Sequence, residues 1–287
     1  MSKKLWQARN LLIPYSERTL VMGILNVTPD SFSDGGEFLS TDDALAQAEQ
    51  MIQEGADIID VGGESTRPSE GRERISVDEE IARVIPVIEK LSKVSSIPIS
   101  IDTTKTEVAR AAVKEGARII NDISALRFEP TIADIAASSG AGLVLMHSRG
   151  TFETMHKLEP MKDLLLEMNE SLRYSIDEAR MRGCKREQIA IDPGFGFSKS
   201  HDQNLELMAK LEIFAGWFSD YPLLIGTSRK SFIGRILNNA PVDERLHGTM
   251  ATVAISVLKG ANIVRVHDVK AAVETVRVVD AIRRAKN

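Results

Sequence analysis

Ile97-Pro98-Ile99-Ser100-Ile101 runs directly into Asp102, a short apolar stretch stopped by a side chain that can bind or catalyse. The pattern recurs on both sides. Toward the N-terminus, Val21-Met22-Gly23-Ile24-Leu25 ends at Asn26 and Ile58-Ile59 at Asp60. Toward the C-terminus, Ile119-Ile120 ends at Asn121-Asp122, Leu143-Val144-Leu145-Met146 at His147, and Ile189-Ala190-Ile191 at Asp192. Leu223-Leu224-Ile225-Gly226 then ends at Thr227-Ser228, and Ile263-Val264-Arg265-Val266 at His267. Short apolar runs bounded by polar residues read as buried strands. Between them the chain reads mostly as helix, so strand and helix alternate eight times. This predicts an α/β fold, a single (β/α)8 TIM barrel over residues 1–287, whose strand C-terminal ends converge on one catalytic mouth. An open doubly wound sheet would more often carry a Gly-rich dinucleotide turn, and G-x-G-x-x-G is absent.

Helix starts are readable between the runs. Ser40-Thr41-Asp42-Asp43 precedes the stripe Ala44, Leu45, Ala48, Met51 and Ile52, and Ser76-Val77-Asp78-Glu79 precedes Ile81, Val84, Ile85 and Ile88. Thr104 with Glu107 reads as a capping box, which frees Asp102 from that job. Asp268 is placed to cap a last helix with Val269, Val273, Val276, Val279 and Ile282 on its inner side. Two connections, residues 28–40 and 62–75, exceed the length of an ordinary strand-to-helix turn, as lids or substrate clamps do.

Composition narrows the class. With 287 residues, 43% hydrophobic, the chain can bury one large core. A net charge of −5 and pI near 5.7 give no global field for nucleic acid. The single Cys184 excludes an internal disulfide and a cysteine zinc site, and fits a reducing compartment. No run approaches the ~20 apolar residues of a membrane span, and the first residues lack the features of a signal peptide. The expectation is a cytoplasmic enzyme with small-molecule substrates and neither nucleic acid nor membrane as partner.

Several residues carry the chemistry. Asp192 precedes Pro193-Gly194-Phe195-Gly196-Phe197, whose glycines permit close backbone approach and whose phenylalanines can cover a flat ring. A carboxylate facing an amidine-like edge accepts two parallel hydrogen bonds, so Asp, Asn and a stacking aromatic suit a 2-amino-4-oxopyrimidine. Lys230 in Ser228-Arg229-Lys230-Ser231 lies at a helix start that favours an anion. Arg265 and His267, two apart, point to one face. A bound phosphate would partner Arg265, and an internal Arg–Asp bridge is the alternative. Asn26 offers a neutral oxygen suited to Mg²⁺ held mainly by phosphates and water. His156, His201 and His247 lack metal-ligand spacing.

These motifs resemble the dihydropteroate synthase family over residues 20–281. The resemblance rests on residues 22–36, 60–68 (Asp60 to Pro68), 100–103, 120–123, 192–197, 228–231 and 265–268 in that order. It implies a (β/α)8 barrel, usually homodimeric, joining 7,8-dihydropterin-6-ylmethyl diphosphate to 4-aminobenzoate with Mg²⁺ assistance, an activity blocked by sulfonamide mimics. Position by position it implies that Asp102, Asn121, Asp192 and Lys230 hold the pterin, Met146 and Phe197 line its slot, and Asp60 is a further substrate contact. Arg265 and His267 would bind diphosphate and Asn26 the metal, while Phe32, Thr66, Pro68 and Ser231 frame the aminobenzoate, with Arg67 on the second long loop. One departure stands out: the family often continues Gly-Thr-Pro after the fifth strand, whereas Gly150-Thr151 is followed here by Phe152.

Three other readings stay open. A methyltetrahydrofolate-dependent methyltransferase would share barrel and pterin pocket but needs no diphosphate ligands. A Schiff-base aldolase would use Lys230, which lies beyond its strand in a basic cluster. A pterin-binding protein without catalysis would keep the pocket alone.

Overall fold

The structure, a computed structural model, describes residues 4–28, 40–65, 74–155 and 157–285. An antiparallel hairpin, β1 (Leu5–Ala8) and β2 (Leu11–Pro14), precedes eight parallel strands: β3 (Leu20–Asn26), β4 (Ile58–Gly62), β5 (Ile99–Asp102), β6 (Ile119–Asp122), β7 (Gly142–Met146), β8 (Ile189–Asp192), β9 (Leu224–Ile225) and β10 (Ile263–Val266). Around them lie α1 (Thr41–Gln53), α2 (Val77–Val94), α3 (Thr106–Lys114), α4 (Ile132–Ser139), α5 (Leu164–Met181), α6 (His201–Ala209), α7 (Leu211–Trp217), α8 (Ser231–Ile236), α9 (Leu246–Leu258) and α10 (Val269–Arg284). The sheet order is β8-β7-β6-β5-β4-β3-β10-β9. It closes where Ile191 bridges Leu223 in parallel and donates its N–H to the Pro222 carbonyl at 2.9 Å. The eight-stranded TIM barrel expected from the alternating runs is therefore what the chain forms.

Strand periodicity of two divides the sheet into an outer and an inner set. Outward residues such as Val21, Leu25, Ile59, Val61, Ile101, Leu143, Leu145, Val264 and Val266 pack with the helices in the main core. Inward residues at the N-terminal end, including Met22, Ile58, Ile119, Val144, Ala190, Leu224 and Ile263, form a second apolar cluster. Two residues further along the same strands, the inward positions become Asp60, Asn121, Met146, Asp192 and Arg265. Apolar filling thus ends partway up the barrel, and the remaining inward positions form a mostly polar floor beneath the mouth.

The hairpin, absent from the sequence-based expectation, closes the opposite end. Trp6 is fully buried against the apolar cluster and donates its indole N–H to the Gln188 carbonyl at 2.8 Å. A Cβ at Gly142 would meet the Trp6 ring at 3.1 Å, so a larger residue there would push the ring by a few tenths of an ångström.

Four local expectations need correction. Asp60 is not a strand terminus, since β4 continues through Val61 and Gly62. The Thr104–Glu107 capping box does not form. Instead α3 begins at Thr106, whose N–H is taken by Glu129 Oε2 at 2.6 Å. Asp268 sits at the N-cap of α10 without capping it, because its carboxylate is held by Arg229. Ile282 is exposed, whereas Val269, Val273, Val276 and Val279 are buried as expected.

Candidate active site

The mouth of the barrel opens on a cavity of about 460 Å³ lined by strand ends and the turns after them. Asn26 comes from β3, Asp102 from β5 and Arg265 from β10, with His267 one residue beyond. Phe197, Lys230 and Ser231 complete the set of expected residues facing it. Asp60, Asn121, Met146 and Asp192 do not line the cavity but lie in its buried walls. Phe32, Thr66, Arg67 and Pro68 fall outside the described residues, as does most of both long loops. A larger cleft of about 570 Å³, lined by Arg180, Cys184, Lys185, Arg186 and Glu187, lies before the start of β8 and away from the strand C-terminal ends.

Arg265 is the centre of the polar floor. Its Nε donates to Asp60 Oδ2 at 2.6 Å and its Nη2 to Asp102 Oδ2 at 2.7 Å. Asn121 Nδ2 donates to the same Asp60 oxygen at 3.0 Å. The internal bridge weighed against a phosphate partner is thus present, and Asp60 acts here through Arg265 while having no face on the cavity. Burial pushes the Asp102 carboxyl above its usual range, and the Arg265 guanidinium, shared with negative Asp60, only partly offsets this. The other Asp102 oxygen accepts no hydrogen bond from the described residues.

Asp192 is set by its turn. Its Oδ1 accepts the Gly194 N–H at 2.7 Å, and Gly194 has φ +69°. A Cβ there would lie 2.1 Å from the His147 carbonyl oxygen, so only glycine fits. Burial raises the Asp192 carboxyl to about 6, against the Gly194 N–H and the charges of Lys230, Lys199 and Arg265. Lys230 reaches toward this wall, its Nζ lying 4.2 Å from the Phe197 ring centroid.

His267 is oriented by Ser228. The Ser228 hydroxyl accepts the His267 backbone N–H at 3.1 Å and lies 2.9 Å from Nδ1. These two contacts hold the imidazole at the cavity rim, where its ring can face an anion. Asp122, which the strand-end pattern grouped with the other acids, is instead structural. Its carboxylate accepts from Ser124 N and Oγ, both at 2.7 Å, and Leu126 N at 2.6 Å, shaping the turn where Ala125 and Leu126 have positive φ. The anion-favouring helix start at Ser231 is short, since α8 spans six residues.

This arrangement offers carboxylates, cationic donors and an aromatic wall around one small cavity. Comparison with known proteins agrees. The family model described as pterin binding enzyme matches residues 22–267. A dihydropteroate synthase of Synechocystis is 50% identical over 273 residues, covering 95% of this chain and 93% of that protein. This chain belongs to the dihydropteroate synthase family. Among solved members, the Xanthomonas albilineans dihydropteroate synthase with 4-aminobenzoic acid has a TM-score of 0.89 and 39% identity, covering 98% of this chain and 99% of that one. The Burkholderia cenocepacia enzyme complexed with 7,8-dihydropteroate gives 0.86 and 40%, covering 99% and 98%.

The family departure at Phe152 has a defined place. Phe152 packs with Phe128 against Ile123, Met146, Met155 and Phe197, behind the cavity wall. The Arg74 guanidinium lies over both rings, 5.2 Å from the Phe152 centroid and 5.7 Å from that of Phe128. Gly150 (φ +74°) makes the turn, with Thr151 N–H donating to Thr154 Oγ1 at 2.8 Å. The fifth loop is therefore held by packing and turn bonds where a proline is missing.

In the sequence Ser228 and Arg229 have a place in a motif but no role of their own, and nothing there marks Arg245 or Lys199. Ser228 was within reach, because adjacent strands β9 and β10 place their ends side by side. Arg229, at φ 57°, pairs with Asp268 at 2.6 and 3.0 Å, and Arg245 donates to its carbonyl at 2.9 Å. Those contacts span tens of residues or bridge turns, and no local spacing announces them. Among the described residues no helix is long and apolar enough to cross a membrane.

Proposed function

We propose that this chain makes 7,8-dihydropteroate and pyrophosphate from 7,8-dihydropterin-6-ylmethyl diphosphate and 4-aminobenzoate. The observation that carries the reading is the meeting of Asp102, Phe197, Lys230, Ser231, Arg265 and His267 around one cavity, in a family whose solved members hold 4-aminobenzoic acid and 7,8-dihydropteroate. In this reading Asp192, Asp102 and Asn121 take the N–H edge of the pterin, and Phe197 and Met146 cover its ring. Lys230 binds its carbonyl side. Arg265 and His267 meet the diphosphate, while Ser231 with Phe32, Thr66, Arg67 and Pro68 surround the arylamine.

The bond between the methylene carbon and the diphosphate oxygen breaks, and its electron pair leaves with pyrophosphate. The methylene cation shares its charge with the pterin ring, where the negative floor of Asp102 and Asp192 stabilises it, so a dissociative order is favoured. The arylamine nitrogen then bonds to the methylene and releases a proton to solvent. It needs no strong base, being neutral at pH 7. The chemistry of the lining suits Mg²⁺, since Asn26, a side chain with a neutral oxygen, lines the cavity beside the cationic groups proposed to meet the diphosphate. Asn26 would hold the ion with diphosphate oxygens and water, and when bound it would neutralise the leaving group. A homodimer belongs to the same reading, supported by exposed Ile255 and Leu258 on α9 and Val278 and Ile282 on the adjoining α10.

The test mixes the purified chain with pterin diphosphate, 4-aminobenzoate and Mg²⁺ and follows pyrophosphate. Release that depends on the arylamine is expected. Methyl transfer appearing only with a corrinoid partner would replace this reading with the methyltransferase one.

Asp192 also sets a pH dependence. If its ionised form receives the pterin, affinity should be flat above neutrality and fall about tenfold per unit below pH ~6, one proton being taken up. The stability contribution of the same group has the opposite sign. Its folded carboxyl binds a proton more tightly than the unfolded one, so that contribution is present at low pH and is lost as pH rises through about 6. Pterin titrations from pH 5 to 8 decide this, and affinity that rose toward acid would exclude the ionised carboxylate as the acceptor.

A further inference from the structure

Lys199 has no part in the reaction above, yet it is tied to the wall that holds Asp192. Its Nζ donates to the Gly194 carbonyl at 2.9 Å and the Phe197 carbonyl at 3.1 Å, and lies 3.0 Å from His147 Nδ1. Each partner connects to the pterin side. The Gly194 N–H holds Asp192 Oδ1 at 2.7 Å, Phe197 lines the cavity, and the His147 N–H donates to the Asp192 carbonyl at 2.9 Å.

The turn itself is conformationally costly. Ser198 carries the cost, as a non-glycine residue at φ 52°, while Gly194 (69°) and Gly196 (78°) take positive φ without a Cβ penalty. Two of its carbonyls converge on one point, and a lysine nitrogen satisfies both. A second tie closes the same pair of loops, with Arg149 N–H donating to Ser198 Oγ at 2.8 Å and Ser198 Oγ donating to the Arg149 carbonyl at 3.0 Å. The brace also tolerates loss of charge. As an ammonium, Lys199 donates to all three partners. As an amine it donates to the two carbonyls and accepts from Nδ1–H of His147, whose Nε2 has no hydrogen bond. Burial draws Lys199 down to about 7 and His147 well below its ordinary value, so both forms matter near neutrality.

We propose that Lys199 is a positioning residue that aims Asp192 and Phe197 at the pterin by holding the carbonyls of their turn against His147. This rests on the reading that Asp192 receives the pterin. Lys199→Met keeps the aliphatic stem and removes the donors. It is expected to raise the Kd for 6-hydroxymethyl-7,8-dihydropterin at least tenfold, while the KM for 4-aminobenzoate stays within twofold. Lys199→Arg should recover most of the loss. If Lys199→Met does not fold, Lys199→Gln, which keeps an amide donor pair, should show an intermediate loss confined to the pterin. An unchanged pterin Kd, or equal weakening of both substrates, would overturn the proposal. Failure of the wild-type chain to bind the pterin, or tight binding by Asp192→Ala, would instead remove the reading beneath it.

Discussion

Arg265→Met should cost the folded state roughly 3–5 kcal/mol, the usual consequence of removing one partner of a buried ion pair. Asp60 is wholly buried, and its Oδ1 already has no hydrogen bond. Once the guanidinium is gone, Asn121 is the remaining hydrogen-bond donor to Asp60 among the described residues, and Asp102 loses the cation 2.7 Å away. Two like charges then share a low-dielectric floor, so the loss should shrink at lower pH, where one carboxyl takes a proton. Adding Asp60→Asn to Arg265→Met should restore much of the stability and none of the pyrophosphate release. Urea unfolding at pH 7 and pH 5 gives the values. A loss below about 1 kcal/mol would mean that solvent already compensates this cluster.

The second large effect falls on binding alone. Asp192→Ala should weaken the pterin at least about 100-fold, since two hydrogen bonds to a charged acceptor are worth roughly 1.5–3 kcal/mol each. Its stability should hold or rise, because burial already disfavours the ionised carboxyl in the folded state. A side chain that costs the fold and serves a ligand is what a binding site leaves behind. Calorimetric titration with pterin beside a thermal melt separates the two effects. Strong destabilisation with intact affinity would make Asp192 a structural acid like Asp122.

The barrel was legible because its signal is local. Each strand has a short apolar run, and each run stops where the inner face turns polar. The N-terminal hairpin was not legible, because its short strands turn at Arg9 (φ 59°) and Asn10 without a glycine. Its stability comes from Trp6 docking under strands far away in sequence. Asp60 was misplaced because Gly62-Gly63 resembles a strand end, yet Gly62 is still paired, in register with Asp102. The acids illustrate the limit most clearly. Asp60, Asp102, Asp122 and Asp192 occupy similar places in the text of the sequence. Packing separates them into a support for Arg265, a cavity-lining carboxylate, a turn organiser and a buried wall acid. That separation depends on which neighbouring strand supplies the partner.

Catalysis as proposed requires one ligand to span the carboxylate wall and the cationic rim. A crystal structure with pterin diphosphate and Mg²⁺ measures this directly. The pterin N–H edge is expected within hydrogen-bond reach of Asp192 and Asp102, with diphosphate oxygens against Arg265 and His267. A pterin bound with its diphosphate turned away from both cationic side chains, or seated outside the barrel mouth, would contradict this.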